Sequence, residues 1–177
     1  MYFEYGVNKL RHVLSVLVVN NSGVLSRVAG LFSRRGYNID SLSVGATGDA
    51  RYSRITVDLH GDDRIIDQIQ KQVKKLVDVL DVVELPTGAI LRELCFIKVG
   101  ANAGVRSEIF NIANVFRVNI VDVSPNTITV EMTGDQEKID AFIELMKPYG
   151  IEEIVRTGVA GIARGEEIIR ANDNDVI

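Results

Sequence analysis

The stretch HVLSVLVVN (His12–Asn20) runs directly into NSGVLSRVAGLF (Asn21–Phe32), and the change of period between them decides the fold. The first half is rich in β-branched residues and apolar at odd and even positions alike, which predicts a strand buried on both faces and therefore central in its sheet. In the second half Val24, Leu25, Val28, Leu31 and Phe32 recur at helical spacing, and Arg34, Arg35 and Gly36 supply a basic last turn and a glycine stop. Outward from this junction, residues 38–44 predict a second strand and Thr47-Gly48-Asp49 a turn. RITVDLH (Arg54–His60) alternates as a third strand. Gly61-Asp62-Asp63 predicts a cap for a helix striped by Ile66, Ile69, Val73 and Leu76, and residues 79–85 a closing strand.

The same order returns after Pro86-Thr87-Gly88. Residues 94–99 predict a strand, and Ile109, Ile112, Ala113 and Phe116 a helix. Two strands follow at 118–123 and 127–132, then a helix striped by Ile139, Phe142, Ile143 and Met146, then a strand at 153–156. GDDRIIDQI at Gly61 echoes GDQEKIDAF at Gly134, and NID at Asn38 echoes NIVD at Asn119. The chain thus predicts an α+β protein of two tandem ferredoxin-like (βαββαβ) units, antiparallel sheets with helices on one face. The expected divisions are an extension over 1–11, units over 12–85 and 92–164, a linker over 86–91, and a polar, frayed tail over 165–177.

Bulk properties narrow the function. The 177 residues are 46% hydrophobic and 25% charged, enough to bury a core. A net charge of −4 and no Trp argue against nucleic acid as the main partner. The element order is also that of an RNA-binding fold, but HVLSVLVVN offers no aromatic platform for bases. One cysteine, Cys95 within LCFIKV, excludes an internal disulfide and predicts a buried structural thiol. Only two histidines occur, neither with ligands at metal spacing, and no phosphate-cradling glycine motif is present. Asp58 and Asp122 fall on strands and are expected to face solvent. No apolar run approaches a membrane span, which predicts a cytosolic, cytoplasmic protein without a membrane or nucleic-acid partner.

Chemistry concentrates at the junction. Asn, Ser and Gly before a helix are ordinary capping residues; a helix start with Gly23 at the turn is equally a seat for a small anion. Strand direction adds a constraint. Asn20 ends strand one, the helix runs back along the sheet, and Asn38 must lie at the opposite end of the unit. A two-fold dimer pairing second strands at the sheet edge would bring Asn20 of one chain to the partner's Asn38. Such a pocket presents free amides at Ser22, Gly23, Val24 and Leu25 to a carboxylate, asparagine carbonyls to an ammonium, and Leu25 with Ile39 to a short side chain. The implied ligand is a small apolar α-amino acid.

LSVLVVNNSGVLSRVAGLFSRRGYNIDSLSVG, followed by SRITVDLHGDD, QIQKQVKKLVDVLDVVEL, RELCFIKV, IVDVSPNTITVEMTG and IVRTGVAGIARG, closely resembles the small regulatory subunit of acetohydroxyacid synthase (acetolactate synthase). The resemblance runs in order from about Leu14 to Gly165. It implies an N-terminal ACT domain, a C-terminal ACT-like domain, and no active site. It further implies a homodimer that binds and activates the catalytic large subunit of branched-chain amino-acid biosynthesis and confers feedback inhibition by valine. Thiamine diphosphate, magnesium and FAD would belong to that catalytic subunit. The family's effector site maps onto Asn20, Gly23, Val24 and Leu25 of one chain with Asn38 and Ile39 of the other, and feedback sensitivity onto Gly23 and Ser26. A free-standing amino-acid-binding regulator would share the features of the first unit, and co-purification with a synthase catalytic chain separates the two.

Overall fold

A computed structural model describes residues 10–171, which form two compact units: Leu91–Gly158, and the described residues up to Ile90 together with those from Val159 onward. In the first, β1 (Leu10–Val19), α1 (Val24–Arg34), β2 (Ser41–Ala46), β3 (Tyr52–Gly61), α2 (Asp63–Val73) and β4 (Val79–Glu84) build an antiparallel sheet in the order β2-β3-β1-β4. The strand expected to be apolar on both faces is central. β1 pairs with β3 from Leu10↔Gly61 to Val19↔Tyr52 and with β4 on its other side.

Both helices cover one face of that sheet. Leu14, Val16 and Val18 of β1 and Ile55, Val57 and Leu59 of β3 pack with Val28, Phe32, Ile66 and Ile69 in a single cluster, with Phe32 fully buried. Asp62 caps α2 by accepting from the Arg64 amide at 2.8 Å. Gly36, at φ 70°, stops α1 in the left-handed conformation that glycine adopts without cost.

The opposite face of the same sheet is also covered. Ser15 and Leu17 are 1% and 0% exposed, and Thr56 and Asp58 are buried beside them. Residues beyond Val159 lie across this face. The Val159 amide donates to Ser41 Oγ at 3.1 Å, Ser43 Oγ donates to the Val159 carbonyl at 2.7 Å, and Arg164 Nε donates to the Gly88 carbonyl at 2.7 Å. Residues 159–164 therefore belong to the first unit. The described part of the expected frayed tail is ordered as far as Ile169, which is 6% exposed; residues 172–177 lie outside the described residues. The N-terminal extension is likewise shorter than expected, because Leu10 and Arg11 already belong to β1, while residues 1–9 are outside the description.

Asp58 corrects a further expectation. It does not face solvent: Arg11 Nε and Nη2 donate to its two carboxylate oxygens at 3.0 and 2.8 Å, a fork-to-fork pair that holds the buried charge. Asp122 is exposed as expected and accepts from Ser124 Oγ at 3.3 Å.

In the second unit β5 (Ile90–Gly100), α3 (Arg106–Phe116), β6 (Asn119–Val123), β7 (Thr127–Gly134), α4 (Gln136–Met146) and β8 (Ile151–Arg156) repeat the plan, with order β6-β7-β5-β8. A short strand not read from the sequence, β9 (Ala160–Ile162), comes after it in the chain, among the residues that belong to the first unit. Cys95, Ile97 and Val99 alternate inward against Ile109, Phe142 and Met146, and Phe116 meets Phe142 edge-on at 5.3 Å between centroids. Asp135 caps α4 through the Lys138 amide, the counterpart of Asp62. Burial pushes the Cys95 thiol up, so thiolate is scarce. Iodoacetamide at mildly alkaline pH should leave native protein unmodified and label it fully once denatured, as read by intact mass.

Candidate effector site at the start of the first helix

The turn between β1 and α1 is built by Gly23, which occupies the N-cap position at φ 83°. A side chain there would be strained by the backbone alone. The ordinary capping reading of Asn20, Asn21 and Ser22 does not hold, since among the described residues no side chain caps α1, in contrast to the aspartates that cap α2 and α4. Two amides turn inward, Val24 to the Asn21 carbonyl at 3.4 Å and Arg27 to the Gly23 carbonyl at 3.0 Å. Among the described residues, the amides of Ser22, Gly23, Leu25 and Ser26 take no backbone carbonyl. The result is an exposed helix N-terminus with unsatisfied donors and the positive end of its dipole.

Asn20 is fixed from below: its own amide donates to the Arg51 carbonyl at 2.7 Å and its Nδ2 to the Ala50 carbonyl at 3.0 Å, leaving Oδ1 as its acceptor. Arg51 in turn chelates Asp49, whose carboxyl is held below its usual range by that pairing. Leu25 and Ser26 are exposed, whereas the Val24 side chain is 3% exposed and belongs to the core, and its amide already donates to the Asn21 carbonyl, so the free amide expected at Val24 is taken.

Arg27 was not picked out from the sequence. Its Nη1 comes within 3.3 Å of where a Gly23 Cβ would stand, and its Nε donates to Asp78 Oδ2 at 2.7 Å. Asp78 is anchored as well, its carbonyl accepting from the Val19 amide at 2.9 Å. The signal was present in the spacing: a long side chain one turn into a helix leans back toward the N-terminus.

Asn38 and Ile39 lie elsewhere. The second strand begins at Ser41 and not at Asn38, because Asn38 Nδ2 bonds Asp40 Oδ1 at 3.0 Å and Asp40 Oδ2 meets His60 Nδ1 at 2.8 Å, local bonds that compete with strand pairing. The Asn20 amide is tied to Arg51 and the Asp40 amide to Asp58, seven residues apart along β3, or roughly 23 Å at ~3.3 Å per residue. One chain therefore places Asn20 and Asn38 at opposite ends of its sheet. Asn38 is exposed, and Ile39 is half-buried against the core. Between these two ends runs β2, an edge strand with Val44 49% exposed.

The described residues contain no cluster of side chains suited to holding a metal ion, and no helix among them is long and apolar enough to cross a membrane. A family model described as an AHAS small subunit-like ACT domain matches residues 14–81, so the first unit is of the ACT class. A second, described as the small subunit of acetolactate synthase, matches residues 92–165. A probable acetolactate synthase small subunit of Methanothermobacter thermautotrophicus is 51% identical over 87% of this chain and 93% of its own. The acetolactate synthase isozyme 3 small subunit of Escherichia coli is 46% identical over 91% of this chain and 100% of its own. The crystal structure of the acetolactate synthase small subunit from Thermotoga maritima superposes with a TM-score of 0.84 at 39% identity, covering 89% of this chain and 99% of that one. The chain belongs to the acetolactate synthase small-subunit family and is a regulatory subunit, not a catalytic chain.

Proposed function

We propose that the protein activates the catalytic subunit of acetolactate synthase and makes it sensitive to valine, which binds between two ACT domains. The uncapped N-terminus of α1, beside an exposed sheet edge, is the observation that carries this reading. If two β2 edges pair antiparallel about a two-fold axis, the Ala46 end of one strand, which shares its end of the sheet with Asn20, lies beside the Ser41 end of the other. The helix start then faces the partner's Asn38 and Ile39. The same pairing closes an edge that would otherwise invite uncontrolled strand addition.

In that pocket the valine carboxylate takes the open amides of α1, with the Arg27 guanidinium alongside. The ammonium takes Asn20 Oδ1 and the partner's Asn38 Oδ1. The isopropyl group lies between Leu25 and the partner's Ile39. A helix start, a cation and two amide carbonyls match both ends of a zwitterion. Bound valine shifts the holoenzyme only if it prefers one arrangement of the paired ACT domains, and a coupling of about 1–3 kcal/mol is the usual scale. Thiamine diphosphate, magnesium and FAD chemistry would reside on the catalytic subunit, in the cytoplasm.

Calorimetric titration of valine into the isolated protein tests the reading directly. Saturable heat at one site per chain, or one per dimer, is expected; no binding at millimolar valine overturns the placement of the site on this subunit. Asn38→Ala should weaken valine about tenfold, the loss of one hydrogen bond to a charged group, while thermal stability barely moves because Asn38 is exposed. An equal loss of stability and binding would make Asn38 a structural turn residue instead.

A further inference from the structure

Where residues beyond Val159 cross the helix-free face of the first sheet, a cavity of about 280 Å³ remains between them and β1, β3 and β4. That is near the lower bound for small-molecule pockets. Its walls are largely apolar, with Val83, Leu85, Ile162 and Ile169 prominent.

Two polar groups on the sheet break that lining. Ser15 is 1% exposed, and its Oγ is buried without a hydrogen-bond partner among the described residues. Buried hydroxyls are almost always satisfied, so an orphan facing a cavity marks a missing acceptor or donor. Arg54 is half-buried, and desolvation depresses its pKa. Among the described residues its guanidinium has no hydrogen-bond or ion-pair partner, unlike Arg11 on the same strand pair, which holds Asp58.

Nearby carboxylates do not answer it. Glu84 is directed to the other face of the sheet, where it meets His12 Nδ1 at 2.6 Å and Gln70 Nε2 at 3.2 Å. Glu167 lines the cavity but is exposed and makes no ion pair with Arg54.

Register places the two groups together. Ser15 is opposite Thr56 and Leu17 opposite Arg54, so Ser15 and Arg54 share a face one diagonal step apart, roughly 7–8 Å and within reach of a long side chain. One small anion can accept from both. Water would satisfy the hydroxyl but would leave the cation uncompensated in a poorly solvated site.

We propose that this cavity is a binding site for a short aliphatic carboxylate, its anion held by Arg54 and Ser15 Oγ and its hydrocarbon against Val83, Leu85, Ile162 and Ile169. The site is on the face of the sheet opposite α1, so it is separate from the valine half-sites and does not depend on that reading. Its occupant would fasten the segment beyond Val159 to the sheet.

Isovalerate titrated into the full chain, followed by methyl NMR of labelled Ile, Leu and Val, tests this, with acetate and L-valine in parallel titrations. Saturable shifts at Leu85, Ile162 and Ile169 are expected. Acetate should bind about tenfold or more weaker, since it lacks most of the buried hydrocarbon. Arg54→Gln should weaken isovalerate about tenfold or more, the loss of a charge-assisted bond; Arg54→Lys should recover part of it, and Asn38→Ala should change nothing. L-valine confined to the α1 end supports a carboxylate site that excludes the ammonium. The proposal falls if these methyls do not respond at tens of millimolar, if acetate and isovalerate bind alike, or if a folded Arg54→Gln chain binds isovalerate normally.

Discussion

Gly23→Asp should abolish valine inhibition of the reconstituted holoenzyme while leaving activation by this subunit intact. Three effects act together. The residue sits at φ 83°, where an L side chain costs about 1–2 kcal/mol, which predicts a fall in melting temperature of about 2–8 °C. Its Cβ would press on Arg27 Nη1, 3.3 Å away. The new carboxylate would then compete for Arg27 and for the α1 amides, the groups proposed to receive the ligand. Repulsion between two carboxylates about 5 Å apart comes to roughly 2–3 kcal/mol at surface-like screening, or a loss of affinity of roughly 30–200-fold. Gly23→Ala carries the backbone strain without the charge, so it should lower stability similarly but keep most of the sensitivity to valine. Reconstituted enzyme assays with valine, alongside thermal melts, separate strain from charge. A Gly23→Asp subunit that remained normally inhibited would show that the effector carboxylate does not bind at α1.

Arg156→Ala should be the most damaging single polar substitution in the second unit. Arg156 joins Glu93, at 2.7 Å from its Nε, and Asp140, at 2.9 Å from its Nη1. The Glu93 side chain is only 5% exposed. The guanidinium's own pKa is raised by its two carboxylates despite the opposing effect of burial, which comes first in size. Removing it leaves a buried carboxylate without a counter-charge, at a cost of about 3 kcal/mol. Denaturant unfolding should show that loss, and Glu93→Gln placed on top of Arg156→Ala should return part of it. A double variant no more stable than Arg156→Ala alone would mean that packing of the arginine stem, and not its charge, holds β5 to β8.

The polar pairs mark where sequence reading stopped. Periodicity was enough to place β1 in the centre of its sheet, both helices of each unit on one face, and the second unit as a repeat, because apolar spacing is local and strand direction follows from connection lengths. It also placed Asn20 and Asn38 at opposite ends of one sheet. Arg11 with Asp58 and Glu93 with Arg156 join residues 47 and 63 positions apart, and no local pattern reports such pairs. Asp58 reads as solvent-facing from strand alternation alone, because its buried pairing with Arg11 leaves no local pattern. β9 is three residues long and too short to show a period. At the junction, the capping residues were visible, but whether one of them caps depends on the Gly23 dihedral, which composition does not fix.

The return of the chain after Gly158 makes the second unit an insert in the first. On the ribosome, β1 to β4 are complete about 75 residues before Val159 appears, an interval of roughly 4–15 s at ordinary elongation rates. Throughout it, Leu17 and the other side chains destined for the covered face have no roof. The final segment is thus the last stitch of the first unit, and a nascent chain stalled or cleaved before it would expose a bare β surface to its neighbours on the polysome.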